Sequence, residues 1–224
     1  MDDTWTYHPH LDEHGARVRL HAPSCEANLV RLADPQAGVT FVPGSACADV
    51  LHGVPFAPCT AADVEAVCRR VAAAAQVAAV VAGVMAEPPF VLPPGKRAAA
   101  GAVVREPDGR VWLVAPSNGF GGYAATFPKG RVEPGMALQA TAIREVWEES
   151  GLLVEPTAWL GDFSRTQTYT RFYVARRIGG HPADMGWESQ AVHLVTPADA
   201  LRLLNRETDH AVLEALVDAH GCST

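Results

Sequence analysis

The sequence lacks the features of several large classes of protein. It has no excess of basic residues: 18 are Lys or Arg and 25 are Asp or Glu among 224, for a formal net charge of −7. Domains that bind the phosphate backbone of DNA or RNA usually carry the opposite sign, so we expect no nucleic-acid partner. The most apolar window, Val71–Ala86, is shorter than the roughly 20 apolar residues of a membrane helix. We therefore expect no membrane partner either.

Paired cysteine motifs are also missing. The five cysteines are scattered, with none in a CxxC or CxH spacing: Cys25, Cys47, Cys59, Cys68 and Cys222. This distribution is typical of reduced thiols and not of a disulfide framework or a zinc site. The chain opens on Met1-Asp2-Asp3, without the cationic and apolar regions of a secretory signal. These features together predict a cytoplasmic location.

The sequence does have enough apolar material for a packed core, since 48% of its residues are hydrophobic. Prolines on both sides of Phe90 predict a linker, because proline removes backbone donors and discourages helix before it. We place a domain boundary there. Residues 1–92 are predicted to form a small α+β region whose role the sequence does not reveal, and residues 93–224 a larger α/β domain.

In the first region, β-like runs alternate with proline and glycine. We predict three strands there, at Arg17–His21, Asn28–Leu32 and Val39–Val42. Thr60 and Asp63 have the spacing of a capping box, and helical periodicity follows them. A helix is therefore predicted from about Ala61 to Val84.

The second region carries a longer series of elements. Two apolar runs, Ala98–Arg105 and Val111–Ala115, flank the turn-forming Pro107-Asp108-Gly109 and predict a β-hairpin. A helix is predicted from about Met136 to Glu149, and Gly151 is the residue expected to end it. The remaining strands and helices are predicted at Val154–Phe163, Thr168–Arg176, Ala191–Val195, Pro197–Asn205 and Thr208–His220.

The helix before Gly151 carries three glutamates on one face, because Glu145 lies one turn from both Glu148 and Glu149. A bound cation would relieve their mutual repulsion, and carboxylate oxygens are the ligands that Mg²⁺ and Mn²⁺ prefer. Taken alone, the same pattern also fits a solvated acidic surface. An apolar stripe on the opposite side is predicted to anchor the helix to a sheet. It consists of Met136, Ala140, Ile143 and Trp147.

The spacing around this helix favours the first interpretation. Gly130 is followed after thirteen residues by the run 144–152, Arg-Glu-Val-Trp-Glu-Glu-Ser-Gly-Leu. This stretch resembles the Nudix box, G-x5-E-x7-R-E-U-x-E-E-x-G-U, where U is a bulky aliphatic residue. The matching positions are Gly130, Arg144, Glu145, Val146, Glu148, Glu149, Gly151 and Leu152. The lead-in Thr126–Lys129 and a later strand and helix extend the resemblance over about Lys96 to Val217.

The resemblance implies an α/β/α sandwich with a mixed sheet, and a hydrolase that cuts a phosphoanhydride bond with Mg²⁺ or Mn²⁺ as its cofactor. By this similarity Glu148 and Glu149 would ligate metal. Glu145 would bind metal or help to polarise the attacking water. Arg144 would orient the carboxylates by ion pairing. Metal ions would neutralise charge on the phosphoryl oxygens and lower the pKa of bound water.

Four more residues are candidates by the same resemblance. Glu188, just before the last strand, is predicted to add a metal-binding carboxylate, and a solvated loop acid is the alternative. Lys129 precedes the box and is predicted to contact a substrate phosphate, with a plain surface lysine as the alternative. Gly130 and Gly151 are predicted to serve the geometry of the backbone.

The substrate class is indicated only by comparison with relatives, and it is a small nucleotide. A Pro-Lys-Gly lead-in resembles enzymes that act on dinucleoside polyphosphates, inositol pyrophosphates or nucleoside triphosphates. ADP-ribose hydrolases often have a proline where this chain has Gln167, which ranks ADP-ribose and nucleotide sugars lower. Tyr169 stands near a tyrosine position of dinucleoside polyphosphate hydrolases and could stack on a base, although plain packing is the alternative.

One position departs from the motif, because its first glutamate falls on Met136. Thioether sulfur is a poor ligand for Mg²⁺, so a carboxylate is missing there. We expect activity to survive, since the three later glutamates take part more directly in the family. The departure motivates a second hypothesis, in which the chain is a catalytically weakened module that binds or senses a nucleotide.

Three other features have no assigned role in this mechanism. His8, His10 and His14 could bind a metal, but a mobile tail is the simpler expectation. Gly119–Gly122 could cradle a phosphate, or could be only a flexible loop near the active site. The first region could mediate self-association, for example as a homodimer, or could shape the choice of substrate.

Overall fold

The structure is a computed structural model, and it describes residues 6–21, 28–80, 87–117 and 122–220. The strands in these ranges are β1 (Tyr7–Leu11), β2 (Arg17–Arg19), β3 (Val39–Phe41), β4 (Val50–Leu51), β5 (Val54–Pro55), β6 (Arg97–Val104), β7 (Val111–Pro116), β8 (Lys129–Arg131), β9 (Leu152–Ser164), β10 (Thr168–Gly180) and β11 (Ser189–Val195). The helices are α1 (Ala61–Val80), α2 (Leu138–Ser150), α3 (Pro197–Leu203) and α4 (Glu207–His220).

Two sheets organise the second half of the chain. The larger has the order β8-β6-β10-β9 and is mixed, because β10 runs parallel to β6 while its other pairs are antiparallel. The smaller is antiparallel, with the order β3-β11-β7. The predicted hairpin of β6 and β7 is wrong in one respect. The two strands meet at the bridge Arg105–Val111 and then diverge into different sheets, so the turn at 107–109 joins the sheets.

Helix α2 has two apolar faces that pack against different partners. The face toward the sheets consists of Leu138, Ala142 and Val146. The face toward α1 consists of Ala140, Ile143 and Trp147. The predicted packing of this stripe on a sheet is therefore incomplete. Leu153 of β9 and Ile178 of β10 belong to the same cluster, but α1 supplies most of it, because a helix between sheets and another helix needs an apolar surface toward each. Met136 belongs to neither face, since α2 begins two residues later at Leu138.

Helices α3 and α4 cover the opposite side of the sheets. Val212, Leu213 and Leu216 of α4 are buried in a second core. Phe172 and Val174 of β10 enter that core from the sheet, whereas the alternate residues of the same strand face α2. Helices on both faces of the sheets make an α/β/α sandwich, and the predicted fold class is confirmed.

The first region contributes to the same core as the second. Phe41 of β3 lies between Phe56 and Trp112, with ring centroids 6.1 and 5.6 Å away. Residues on both sides of the boundary at 92–93 belong to one hydrophobic cluster. The boundary itself is not tested by this packing and stays a prediction. The predicted strand Asn28–Leu32 is wrong: a 3-10 turn forms at Leu29–Arg31, and β3 is the strand of the first region that pairs with β11.

A buried ionic group fastens the first region to the sheets. Glu106 accepts hydrogen bonds from Arg177 Nε at 2.7 Å and Trp112 Nε1 at 2.8 Å, and it pairs with His52 at 3.0 Å. Arg177 also donates to the carbonyl of Leu51 at 2.9 Å. Buried polar groups need such partners, so these bonds fix β4, β5 and their turn against β10.

Helix α1 begins as predicted. The Thr60 N–H donates to Asp63 Oδ2 at 2.8 Å, and the Asp63 N–H donates back to Thr60 Oγ1 at 3.4 Å, which is the reciprocal pattern of a capping box. The helix is described up to Val80, and the rest of its predicted length lies outside the described residues. In the described part of the chain, no helix is both long and apolar enough to span a membrane.

Candidate active site

Glycine fixes both ends of the segment that carries the acids. Gly151 ends α2 with a φ of 70°, and its N–H donates to the carbonyl of Trp147 at 2.8 Å. A Cβ on Gly151 would lie 2.3 Å from the carbonyl oxygen of His181, so the sharp exit from the helix requires glycine for space as well as for φ. The predicted helix end is confirmed.

Gly130 brings strand β8 into contact with the acids of α2. It lies in β8, the edge strand of the larger sheet, and pairs with Ala100 of β6. A Cβ at Gly130 would lie 2.0 Å from the carboxyl carbon of Glu145. The Glu145 carboxylate therefore lies directly on the backbone of β8, in space that only glycine leaves open.

The three box glutamates and Glu188 influence one another electrostatically. Burial, together with the charges of Glu148 and Glu188, raises the pKa of Glu145 to about 8. Burial also raises the pKa of Glu149 to about 8, against the opposing effect of the Lys129 ammonium. The pKa of Glu188 is raised by partial burial and by Glu148. The four carboxylates that the sequence predicted as metal ligands are therefore close enough for their charges to interact.

The carboxylates do not form a closed cage. Among the described residues, no group of three His, Cys, Asp or Glu side chains is close enough to hold a metal ion. Mg²⁺ does not need such a cage, because it usually keeps several waters and binds through one or two carboxylates plus substrate phosphates. The hard carboxylate oxygens of Glu145 and Glu149, whose pKa values are raised by burial and by neighbouring carboxylates, suit a divalent cation in this way.

Lys129 lies beside the acids and is partly buried. Its backbone N–H donates to Glu149 Oε2 at 3.3 Å, and its ammonium donates to Thr126 Oγ1 at 2.9 Å. The ammonium also lies 5.0 Å from the ring centre of Tyr123. Burial lowers the pKa of Lys129, although the Glu149 carboxylate opposes that shift. Its position between the acids and Tyr123 does not fit the alternative of a plain surface lysine.

Tyr123 also contacts two arginines that the sequence did not predict as site residues. Arg165 Nη1 donates to the Tyr123 hydroxyl at 3.4 Å, and the Arg206 guanidinium lies 5.2 Å from the ring centre. Asn205, between α3 and α4, donates to the Gly122 carbonyl at 2.8 Å and accepts from the Ala124 N–H at 3.0 Å. These bonds hold residues 122–124 against the junction of the two helices. The sequence feature that could have indicated this position is that Tyr123 directly follows a glycine-rich stretch.

Arg144 pairs with a glutamate of the box, as predicted, and with a glutamate that was not predicted. Its Nη2 donates to Glu148 Oε1 at 3.3 Å. Its Nη1 donates to Glu133 Oε2 at 3.1 Å and lies 3.5 Å from the sulfur of Met136. Met136 is half-buried in the loop before α2 and contacts the guanidinium.

The backbone of Glu188 is fixed just before β11. The Ser117 N–H donates to the Glu188 carbonyl at 2.7 Å, and the Ser117 hydroxyl donates to the Trp187 carbonyl at 2.8 Å. Ser117 follows the end of β7, so the loop of Glu188 is joined to the smaller sheet. This anchoring places the side chain within electrostatic range of Glu145 and Glu149.

The structure places Tyr169 in a different setting from the acids. It stands on β10, opposite Ala98 of β6 and Ser164 of β9. Its ring packs on Phe90 of the linker, with centroids 5.5 Å apart. None of its described contacts is with the acidic group. Its predicted role in binding substrate stays a prediction.

The histidines near the start of the chain are not in a tail, so that expectation is wrong. His8 and His10 lie in β1, which pairs with β2, and the His10 N–H donates to His8 Nδ1 at 3.0 Å. His8 is buried, and burial together with His10 lowers its pKa to about 4. Most of the glycine-rich segment that was predicted to lie near the site, residues 118–121, is outside the described residues.

Comparison with known proteins identifies a relationship that covers the second region. A family model described as the NUDIX domain matches residues 95–216. An RNA pyrophosphohydrolase of Caulobacter vibrioides is 34% identical over 98 residues, a match that covers 43% of this chain and 54% of that protein. The chain thus spans about half the length of that curated relative.

Solved structures with a similar arrangement are also known. One is a NUDIX hydrolase from Nitrosomonas europaea, with a TM-score of 0.49 and 21% identity over 58% of this chain and 75% of the other. Another is a C. elegans Ap4A hydrolase, with a TM-score of 0.46 and 20% identity over 55% of this chain and 98% of the other.

Proposed function

Because the chain belongs to the Nudix family, we propose that it hydrolyses a phosphoanhydride bond in a nucleotide with the help of Mg²⁺ or Mn²⁺. One observation carries the proposal: Glu145 and Glu149 of α2 lie against the consecutive residues Gly130 and Lys129 of β8, where their charges interact with those of Glu148 and Glu188. Burial raises the pKa values of Glu145, Glu149 and Glu188, and the charges of neighbouring carboxylates add to the shift. A bound cation would offset both effects.

Each residue of the site has its own role in this proposal. One or two of Glu148, Glu149 and Glu188 would hold the cation, with waters and substrate phosphates as its other ligands. When bound, the cation neutralises charge on phosphoryl oxygens and lowers the pKa of its water. Glu145, seated against Gly130, would bind the cation or orient the attacking water. Arg144 would keep Glu148 in place through their ion pair.

The basic side chains suggest the class of nucleotide. Lys129 and Arg206 lie against the ring of Tyr123 next to the acids, and cations there would favour a substrate with a long phosphate chain. We therefore rank dinucleoside polyphosphates and nucleoside triphosphates first, and ADP-ribose and nucleotide sugars after them. The Caulobacter relative is an RNA pyrophosphohydrolase, so an RNA substrate belongs in the test, although the net charge of −7 favours a small substrate. A cytoplasmic location is part of this proposal.

Incubation of the purified chain with this substrate panel, in Mg²⁺ or Mn²⁺ and with chelator as the blank, tests the proposal. We expect metal-dependent release of a nucleoside monophosphate or phosphate species from at least one substrate. Glu148→Gln and Glu149→Gln should each lower kcat at least about a hundredfold, because metal assistance is worth several kcal/mol of the barrier. Glu214→Gln, an exposed change on α4, is the matched control and should retain full activity.

Absence of hydrolysis of every substrate would contradict the proposal, and full turnover by either box variant would contradict the assigned roles. A second function, a module that binds or senses a nucleotide without cleaving it, is favoured by one observation. Met136 puts a thioether where the motif has a carboxylate. Calorimetric binding of a nucleotide by a chain that cleaves none would support that function.

A further inference from the structure

Arg144 joins the loop before α2 to the acidic group. Its Nη1 contacts both Glu133 Oε2, at 3.1 Å, and Met136 Sδ, at 3.5 Å. Its Nη2 donates to Glu148 Oε1 at 3.3 Å. The guanidinium is therefore fixed from two sides, with a loop carboxylate on one side and a proposed metal ligand on the other.

A tight turn brings Glu133 to this position. The Met136 N–H donates to the Glu133 carbonyl at 3.0 Å, which closes a turn over residues 133–136. Pro134 occupies its second position and Gly135 its third, with a φ of 83°. This is the pattern of a type II turn, which requires a positive φ at the third residue. The turn places Glu133 and Met136 so that both side chains reach the same nitrogen of Arg144.

We propose that Glu133 is a positioning residue, which supplies to Arg144 the carboxylate that the sequence motif would place at position 136. The proposal rests on the proposed function, in which Glu148 ligates the cation. With its Nη1 fixed by Glu133, Arg144 can hold Glu148 in one orientation through Nη2. Glutamate and methionine side chains have similar lengths, so a glutamate at 136 would reach the nitrogen that the sulfur of Met136 now contacts.

The pair acts on orientation more than on folding. The Glu133 side chain is 64% exposed and that of Arg144 33%, and exposed ion pairs contribute little to stability. Removal of the Glu133 charge leaves the bond between Arg144 and Glu148 possible but frees the opposite end of the guanidinium. The expected loss therefore appears in catalysis and in cation binding, and not in the melting temperature.

Glu133→Gln is the direct test, because it keeps the size of the side chain and removes its charge. We expect kcat to fall about fivefold with KM within about twofold, which corresponds to roughly 1 kcal/mol in the barrier. Mn²⁺ affinity of the substrate-free chain, measured by electron paramagnetic resonance, should weaken by a similar factor. The thermal midpoint should not change.

Rescue distinguishes positioning from a general effect of the charge. Met136→Glu added to Glu133→Gln should restore both kcat and Mn²⁺ affinity to within about twofold of wild type, as expected for two carboxylates that serve one guanidinium. Glu65→Gln is the matched control. It breaks another exposed ion pair, with Arg69 at 3.4 Å on α1, and should change neither readout.

Each outcome decides the proposal. Unchanged kcat and Mn²⁺ affinity in Glu133→Gln, beside an inactive Glu148→Gln, would overturn the role of Glu133 and leave the proposed function intact. A lowered thermal midpoint with no rescue by Met136→Glu would assign Glu133 to folding and also overturn it. If the wild type hydrolyses nothing, the proposed function fails, and the Mn²⁺ titrations of the single and double variants still decide whether Glu133 positions Arg144.

Discussion

Single atoms determine how the acids of α2 are placed. Glu145 lies against the backbone of Gly130, and the space between them is smaller than a methyl group. Lys129, one residue earlier, donates its N–H to Glu149. Two consecutive residues of β8 therefore position two of the box glutamates. Gly130 makes room for Glu145 because it has no side chain, and Lys129 holds Glu149 through its backbone N–H.

Gly130→Ala should abolish most of the activity and leave the fold intact. The new Cβ would overlap the Glu145 carboxyl group at 2.0 Å, so that group must move. A displacement of about 1 Å in a catalytic site costs on the order of a hundredfold in rate. We expect a loss of that size in kcat, with the circular dichroism spectrum unchanged.

The matched control is Gly179→Ala on β10. Gly179 also has no positive φ, and the nearest atoms to its added Cβ are in the Leu153 side chain at 3.9 Å, an ordinary contact. This variant should keep wild-type kcat. Equal activity of Gly130→Ala and wild type would show that Glu145 can act from a different position.

Pairing between elements joins the first region to the smaller sheet. β3 pairs with β11, and His193 lies opposite Thr40 in the register of these two strands. The His193 Nδ1 and the Thr40 hydroxyl lie 3.0 Å apart, and both residues are fully buried. The seam between the two regions therefore contains a titratable ring out of contact with water.

Stability should fall when this ring is forced to take a proton. Burial lowers the pKa of His193 from 6.5 to about 4. The unfolded chain therefore binds this proton at a higher pH than the folded chain does. The free energy of unfolding should decrease as the pH falls from about 6.5 to about 4, by about 3 kcal/mol, and should not depend on His193 above that range. Urea unfolding across this range measures the effect.

His193→Gln is the comparison, because glutamine can still hydrogen-bond but does not titrate. Its stability should depend less steeply on pH in the same range. His8 has a pKa lowered in the same direction, so part of the slope should remain. If the wild type and His193→Gln lose stability in parallel, His193 does not account for the acid sensitivity.

The whole molecule depends on the packing of the first region on the second. Phe41 and Phe56 pack on Trp112, and the buried pair of Glu106 and Arg177 lies beneath the turn of β4 and β5. We propose that residues 29–56 belong to the folding unit of the catalytic domain, even though the family model begins only at residue 95.

A chain that begins at Gly95 should therefore fail to fold well. Loss of β3 would expose the edge of β11 and one face of Trp112, and exposed strand edges and apolar surface lead to aggregation. We expect aggregation on size exclusion and no cooperative thermal transition. A monodisperse truncated chain that melts near the wild-type temperature and keeps its activity would instead support two independent domains with a boundary at 92–93.

Several strands and helices could be predicted because their signals are local. The capping box at Thr60 and the end of α2 at Gly151 depend on neighbouring backbone groups, and both are confirmed. The partner of the Ile143 face could not be predicted, because periodicity shows that a helix face is apolar but not what covers it. The placement of β6 and β7 in separate sheets likewise depends on long-range contacts, which the sequence of the turn between them does not specify.

The order of the box residues by itself determined the family and the grouping of three carboxylates, because a fixed spacing on one helix places Glu145, Glu148 and Glu149 on a shared face in any surroundings. Only the tertiary structure decided what surrounds that face. The contact of Gly130 with Glu145 and the pairing of Glu133 with Arg144 join residues eleven or more positions apart. Such contacts depend on how strands and loops pack, and the sequence specifies that packing only through the whole fold.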